Sequence, residues 1–317
     1  MAYAGCGVWA LVAQNLTNLI CDTLILWFTV RWRPTLQFSF TRLRGMLSFS
    51  WKMMVTTMID NLYNSLYPMA LGKLFGTAQQ GYYDRGDIIP NTLASNVTMA
   101  LKSVLLSAFS KEQSDPQQLK QMLKNSIRMA GFVFFPLMAG LITASGPLIS
   151  VLLTDEWAES AMFLRYCSLF FVFIPIHVIH QQAITALGQS GITLKLEIGK
   201  KIIGVSCLIV GVPFGVKGLL IGKAVSSLLG LMLTAIPVRK VFDYGFFEQV
   251  SDLFPSAMLS GFMAAVAYVL TMRGGGSGAT LLLQICCGVI FYLLAAKLCR
   301  IKELELLLDK AKTFLRK

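Results

Sequence analysis

Between Arg128 and Asp155 the chain reads MAGFVFFPLMAGLITASGPLISVLL over residues 129–153, followed by Thr154. The run holds no Asp, Glu, Lys or Arg, and it exceeds the roughly 20 apolar residues that a helix needs to cross the hydrocarbon of a bilayer. Working outward, eight further stretches read the same way, at 8–30, 46–72, 83–109, 161–187, 194–214, 216–238, 253–272 and 279–299. The second and third of the nine, 46–72 and 83–109, are the most polar. Composition agrees: 55% of the 317 residues are hydrophobic and only 14% charged, with a mean hydropathy of +0.64. A water-soluble fold of this length lacks the charge to cover its surface. The expected fold is an all-α integral membrane protein, a polytopic bundle of about nine transmembrane helices.

The formal charge of +12, from 28 Lys and Arg against 16 Asp and Glu, would suggest nucleic-acid binding in a soluble protein. Here the cations lie in short runs between apolar stretches, so nucleic acid is set aside. Arg31, Arg33, Arg42 and Arg44 follow the first stretch, and Lys111, Lys120, Lys124 and Arg128 follow the third. Lys195, Lys200 and Lys201 follow the fifth, Arg239 and Lys240 the seventh, and more cations run from Lys297 to Lys317. The alternate loops are short and poor in cations, one of them carrying Asp155, Glu156 and Glu159. The positive-inside rule then places the C-terminus in the cytoplasm and Met1 outside. No cleavable signal peptide is evident, since no basic segment follows Met1. Because Gly5-Cys6-Gly7-Val8-Trp9 reads as a turn between two spans, upstream helices are expected to be missing from the sequence. Seven cysteines (6, 21, 167, 207, 286, 287 and 299) lie in or beside apolar stretches without metal-ligand or disulfide spacing, and read as small buried apolar residues. Gly274-Gly275-Gly276-Ser277-Gly278 reads as a flexible outer turn. The tail at 301–317, with Ile301, Leu304, Leu306, Leu307 and Leu308 among charges, reads as a cytoplasmic amphipathic helix on the membrane or as a solvated tail.

Ionisable groups in hydrocarbon are costly, so each marks a candidate site. The third stretch carries Asp84, Asp87, Asn91, Ser95, Thr98 and Lys102 at offsets of 3, 7, 11, 14 and 18, which keep one helix face over five turns. That stripe is expected to line a water-filled cavity, the competing reading being polar glue between helices. The second stretch has Lys52, Thr56, Asp60, Asn64 and Tyr67 on a similar face, with Asn61 and Tyr63 beside it; the first has Asn15, Asn18 and Asp22. Three polar-striped helices suggest one shared cavity. Asp60, near mid-span, is a carboxyl that could carry a proton. The only histidines, His177 and His180, share a face at i, i+3 in the fifth stretch, and suit either a proton-linked switch or interhelical hydrogen bonds. No metal cluster accompanies them. Glu197 is expected to pair with Lys201 at i, i+4, with Lys200 and Lys201 reaching the headgroups, a reading at least as good as ligand binding. Prolines 68, 90, 136, 147, 175, 213 and 237 fall within or at the ends of spans, where they kink or break helices.

Gly5-Cys6-Gly7-Val8-Trp9-Ala10-Leu11-Val12, then Arg31-Trp32-Arg33-Pro34, Leu71-Gly72-Lys73-Leu74-Phe75, Gly81-Tyr82-Tyr83-Asp84-Arg85 and Leu194-Lys195-Leu196-Glu197 come in an order and spacing that resemble the Wzx-type oligosaccharide flippases. These are lipopolysaccharide biosynthesis proteins of the multidrug/oligosaccharidyl-lipid/polysaccharide exporter superfamily. Gly-Tyr-Tyr-Asp-Arg is the most specific of these segments; Cys6 stands where an aromatic is more usual. The resemblance implies a fourteen-helix, two-lobe transporter of which this chain holds the C-terminal part. Residues 1–45 would then be the last helix of the N-terminal lobe with a cytoplasmic linker. Residues 46–245 would be the six-helix C-terminal lobe, 246–300 two additional helices and 301–317 the tail. It implies alternating-access flipping of undecaprenyl-diphosphate-linked oligosaccharide across the bacterial cytoplasmic membrane, ion-coupled, with no cofactor and no metal. The polysaccharide polymerase and chain-length machinery are its expected partners.

On that reading Arg85 and Lys102 meet the diphosphate or acidic sugars, and Asn61, Asn64, Tyr63, Tyr67 and Asn91 meet the sugars. Asp60, then His177 and His180, take the coupling ion, while Asp22, Asp84, Asp87, Ser95 and Thr98 line the cavity. The rival readings are a multidrug or metabolite cation antiporter of the same fold and an inactive truncated remnant. A membrane enzyme is disfavoured, because no nucleophile–base pair is evident and every outer loop is short.

Overall fold

Hydrocarbon offers a backbone amide no hydrogen-bond partner, so a chain this apolar must satisfy its amides internally, and the α-helix does so within one segment. The computed structural model describes residues 9–30, 39–112, 115–188, 190–271, 277–299 and 301–307. Among these there is no strand. Ten long helices follow one another: α1 (Trp9–Thr29), α2 (Phe40–Phe75), α3 (Thr77–Lys111), α4 (Pro116–Leu152), α5 (Ser160–Phe171), α6 (Ile174–Ala186), α7 (Ser190–Gly211), α8 (Gly215–Phe242), α9 (Phe246–Thr271) and α10 (Ser277–Leu298). By length and composition, six described segments can cross a membrane, one of them running from Gly191 to Phe242 through both α7 and α8. The protein is thus an all-α polytopic membrane bundle. All nine apolar stretches read from the sequence are helical, and the fifth holds two helices rather than one.

The chain divides into two compact units, Met1–Asp60 and Asn61–Lys317. In the first, α1 returns the hydroxyls of Thr17, Thr23 and Thr29 to carbonyls four residues back, each at 2.7 Å, which hides these donors within the helix. In the second, α3 packs on α5 and α6, α4 on α5, α9 and α10, and α8 on α5, α6 and α7.

The break between α5 and α6 falls at Val172 and Phe173, just ahead of Pro175, which has no amide hydrogen and suits the first turn of a new helix. A break inside a bilayer leaves carbonyls without partners. Helix α8 supplies one, because Ser227 Oγ donates to the Phe170 carbonyl at 2.8 Å. Two glycines shape the elements around this break. Gly86 lets α3 lie directly on α5, where a Cβ would come within 2.7 Å of the Leu164 nitrogen. Gly215, at φ +72°, starts α8 in a left-handed conformation that glycine adopts without strain.

At one end of the bundle Asp115 caps α4 by accepting from the Gln117 and Gln118 amides at 2.9 and 3.1 Å. Lys124 then lies 3.3 Å from Glu248 and 3.2 Å from Asp252 of α9. Tyr244, wholly buried in the α8–α9 turn, donates to Asp252 Oδ2 at 2.7 Å. Burial, with Asp252 alongside, pushes its phenol above the usual range and keeps it a donor. Residues 302–307 of the tail are helical. Their apolar side turns to the protein, with Ile301 and Leu304 packed among Phe132, Met263, Tyr292 and Ala296, and Glu303 lies 2.8 Å from Arg128. Glu197 pairs at 2.6 Å with Lys200, three residues on, where Lys201 at four was the expected partner. The turn at 274–276, Cys6 and residues 308–317 lie outside the described residues.

Gly86→Ala is expected to cost about 1–3 kcal/mol through overpacking of α3 against the α5 backbone. Thermal unfolding of the detergent-solubilised protein reads this, and a melting temperature equal to the parent's refutes the close approach.

Candidate functional site

Residues 61, 64 and 65 of α2 point one way and residues 63 and 67 another, as about 100° of rotation per residue dictates. Asn61, Asn64 and Ser65 line an open hollow of about 720 Å³ with Pro68, Met69 and Gly72 and with Lys73, Thr77 and Gln80 from the α2–α3 corner. Tyr63 and Tyr67 turn inward to α7 instead. The Tyr63 hydroxyl lies 1.8 Å from where a Cβ on Gly204 would be, and the Tyr67 hydroxyl donates to the Gly204 carbonyl at 3.4 Å. The four α2 residues expected on one sugar-binding surface therefore divide between an open hollow and a packed interior.

The stripe on α3 keeps its face. Asp84, Asn91, Ser95 and Lys102 are exposed, whereas Asp87 and Thr98 are half-buried. Thr98 Oγ1 has no hydrogen-bond partner among the described residues. Asp84 and Lys102 thus expose an acid and a base along one face of a helix long and apolar enough to cross a membrane, and each charge would be costly against lipid. Arg85 sits in the N-terminal part of the same helix, with its guanidinium 5.2 Å from the Trp157 ring, and Tyr82 meets Trp157 edge-on at 6.0 Å. The Gly81–Arg85 segment thus grips the loop between α4 and α5 through one tryptophan.

Asp87 joins this open face to the interior. Its Oδ2 accepts from Asn91 at 3.0 Å, while its Oδ1 accepts from Lys223 Nζ of α8 at 3.0 Å. Lys223 also donates to the Tyr83 hydroxyl at 2.7 Å. Four aromatic rings surround the ammonium, with centroids at 4.6 Å for Phe170, 4.9 Å for Tyr83, 5.4 Å for Phe171 and 5.7 Å for Tyr67. The lysine side chain is 7% exposed and that of Asp87 15%. A carboxylate, a phenol oxygen and aromatic faces are the partners that an ammonium needs away from water.

Lys223 was not anticipated from the sequence. Its signal was present in the 216–238 stretch, where Lys223, Ser226, Ser227 and Thr234 follow at offsets of 3, 4 and 11, and all four are buried. The same face holds the histidines. His177 Nε2 lies 3.1 Å from the Ser227 carbonyl and His180 Nδ1 3.0 Å from Thr234 Oγ1, both rings buried and Gly230 leaving room for His177. Asp22 is exposed on α1, within the other unit. The Asp60 side chain lies outside the described residues. No group of three or more His, Cys, Asp or Glu suited to a metal ion occurs among the described residues.

Comparison with known proteins gives concordant results. A family model described as polysaccharide biosynthesis protein matches residues 1–162. The succinoglycan biosynthesis transport protein ExoT of Rhizobium meliloti (strain 1021) is 28% identical over 162 residues, covering 50% of this chain and 32% of its own. The lipopolysaccharide biosynthesis protein WzxC of Escherichia coli (strain K12) is 20% identical over 259 residues, 80% of this chain and 53% of its own. The chain thus spans between a third and about half of the length of these relatives. Among solved structures, a lipid II flippase MurJ in an inward closed conformation shares the fold with a TM-score of 0.68 and 18% identity, over 87% of this chain and 58% of that one. These matches agree with the resemblance to Wzx-type flippases read from the sequence.

Lys223→Met leaves the Asp87 carboxylate without its counter-charge, and should lower stability by about 3–5 kcal/mol, as breaking one half of a buried pair does. Adding Asp87→Asn should restore most of that loss. Unfolding in detergent measures both, and a single variant as stable as the parent rules out a pair that holds α3 to α8.

Proposed function

Because the chain belongs to the polysaccharide biosynthesis protein family, by a match over residues 1–162, we propose that it moves lipid-linked oligosaccharide across the bacterial cytoplasmic membrane. The observation that carries the proposal is the exposed polar face of α3 beside the Asn61–Asn64 hollow. Amides, hydroxyls and charges along a spanning helix give a glycan a hydrophilic path, while the lipid tail stays in hydrocarbon.

The substrate is undecaprenyl-diphosphate-linked, and the cycle is alternating access driven by an ion. Arg85 and Lys102 supply cations for the diphosphate or for acidic sugars. Asn61, Asn64 and Asn91 supply sugar hydrogen bonds, while Tyr63 and Tyr67 support that surface from within. Asp22, Asp84, Asp87, Ser95 and Thr98 line the water-filled route. Asp60, His177 and His180 are the groups through which the sequence offers ion coupling. One charge moved through 100 mV is worth about 2.3 kcal/mol, enough to bias such a cycle. The tail lies in the cytoplasm and Met1 outside. The protein acts as a carrier rather than an enzyme, and hands its cargo to the polysaccharide polymerase and chain-length machinery. A cation antiporter would need a vacant ammonium cage, whereas the aromatic cage here already holds Lys223.

The sidedness of lipid-linked oligosaccharide in cells depleted of the protein tests the proposal. Inner-leaflet accumulation with unchanged glycan length is expected, and re-expressed Lys102→Ala should clear it more slowly than the parent. Unchanged sidedness on depletion would instead put the cation antiporter first.

A further inference from the structure

A cavity of about 490 Å³ lies between α3, α4 and the helical tail, apart from the α2–α3 hollow. Helix α4 gives it a gradient. Gln121, Asn125 and Arg128 recur at helical spacing along its first half, and Met129 and Val133 continue the same line into the uncharged run. Val97 and Leu101 of α3 complete the apolar end, while the tail adds Lys302 and, one turn on, Leu306. One end thus offers amides and cations and the other only apolar side chains. A cavity of that polarity suits an amphiphile, with its headgroup at one end and its chain at the other.

The charges at the polar end do not balance. Arg128 Nε lies 2.8 Å from Glu303, at ion-pair distance but without hydrogen-bond alignment, since this buried nitrogen has no hydrogen-bond partner among the described residues. Lys302 is exposed and makes no ion pair among the described residues. Two cations therefore stand against one carboxylate. Gln121 donates to Asn125 Oδ1 at 3.0 Å, which leaves the hydrogens of the Asn125 amide for a ligand oxygen. Lys120 and Lys124, earlier on α4, are engaged by Asp243, Glu248 and Asp252 and do not line the cavity. By the positive-inside rule these basic runs mark the cytoplasmic side, where the leaflet carries anionic lipid.

We propose that this cavity binds an anionic phospholipid of the inner leaflet, with the phosphodiester between Arg128 and Lys302 and an acyl chain along Val133 and Leu101. Its phosphate links α4 to the tail. That link adds to the Arg128–Glu303 pair and to the packing of Ile301 and Leu304, and holds the tail on the bundle. The site is distinct from the proposed glycan path and stands whatever the cargo.

Brominated lipids test this, because bromine quenches tryptophan only at close contact. In the full chain, Leu306→Trp places a reporter at the cavity rim, and Ile202→Trp places one on an exposed position of α7 beside Lys201. Each signal is taken as the difference from the parent, which has five tryptophans of its own. The proteins are reconstituted in phosphatidylcholine with a small fraction of dibromo-phosphatidylglycerol or dibromo-phosphatidylcholine. The Leu306→Trp reporter should be quenched about fivefold more by the anionic lipid, the enrichment that one basic side chain gives an anionic headgroup. Adding Lys302→Gln should bring that ratio close to one. Equal quenching by the two lipids overturns the proposal, and so does a ratio that Lys302→Gln leaves unchanged. The same preference at Ile202→Trp would mean diffuse attraction to a basic protein, and overturns it as well. Inorganic phosphate substituted for chloride at constant ionic strength should leave the ratio as it was; a ratio that phosphate abolishes assigns the cavity to a free anion instead. The parent gives a reading without substitutions. In detergent micelles, trypsin cleavage after Lys302 should slow about fivefold with added phosphatidylglycerol and not with phosphatidylcholine. Cleavage that neither lipid slows overturns the proposal even if the reporter variants do not fold.

Discussion

An ammonium in the interior of a membrane bundle persists only with a counter-charge and enough polar or aromatic partners to replace water. Lys223 imposes that condition on four helices at once. Tyr67 comes from α2, Tyr83 and Asp87 from α3, Phe170 and Phe171 from the end of α5, and the lysine itself from α8. Apolar side chains can slide over one another at little cost, but a charge with directional partners cannot. The cage therefore fixes the register of these helices where hydrophobic contact alone would leave it loose. The break between α5 and α6 follows from the same helix, because the serine that satisfies the freed Phe170 carbonyl is Ser227, one turn along from the lysine.

The architecture was legible because it rests on length and polarity, which the sequence displays directly. Every apolar stretch became helix, and the stripe on α3 kept the face that its 3.6-residue period assigned. The break in the fifth stretch was legible only as Pro175, since its position depends on α8 rather than on local sequence. The site was half legible. A run of six polar residues on α3 is conspicuous, whereas one lysine amid leucines and glycines in the 216–238 stretch passes for a boundary charge. Its partner Asp87 lies 136 positions away, and nothing local marks the pairing. On α2 the helical period separates Asn61 and Asn64 from Tyr63 and Tyr67. Which pair faces inward was decided by Gly204 of α7, whose missing side chain admits the Tyr63 ring.

The two sides of α3 consequently have different mechanical characters. Towards α5, α6 and α8 it is locked by the close approach at Gly86 and by the pair at Asp87. On its other side it shows amides, hydroxyls and charges that hydrogen-bond mostly within their own helix, as Asn91 does to Asp87 and Ser95 to the Thr92 carbonyl. A rigid back and an adaptable polar front would suit the proposed glycan path, which has to accept many sugar orientations without reshaping the bundle.

Lys223 also constrains how the protein can be made. A lysine within an isolated spanning helix opposes its release into lipid, by up to about 2.5–3.5 kcal/mol where it lies at the helix centre. Helix α8 emerges long after α3 and α5, so the carboxylate and the rings that relieve this penalty are already in the membrane when the lysine arrives. Reversing that order would strand the charge in lipid during synthesis. The sequential layout of the chain, with the anion first and the cation last, is therefore itself a condition for correct insertion, separate from the stability of the finished bundle.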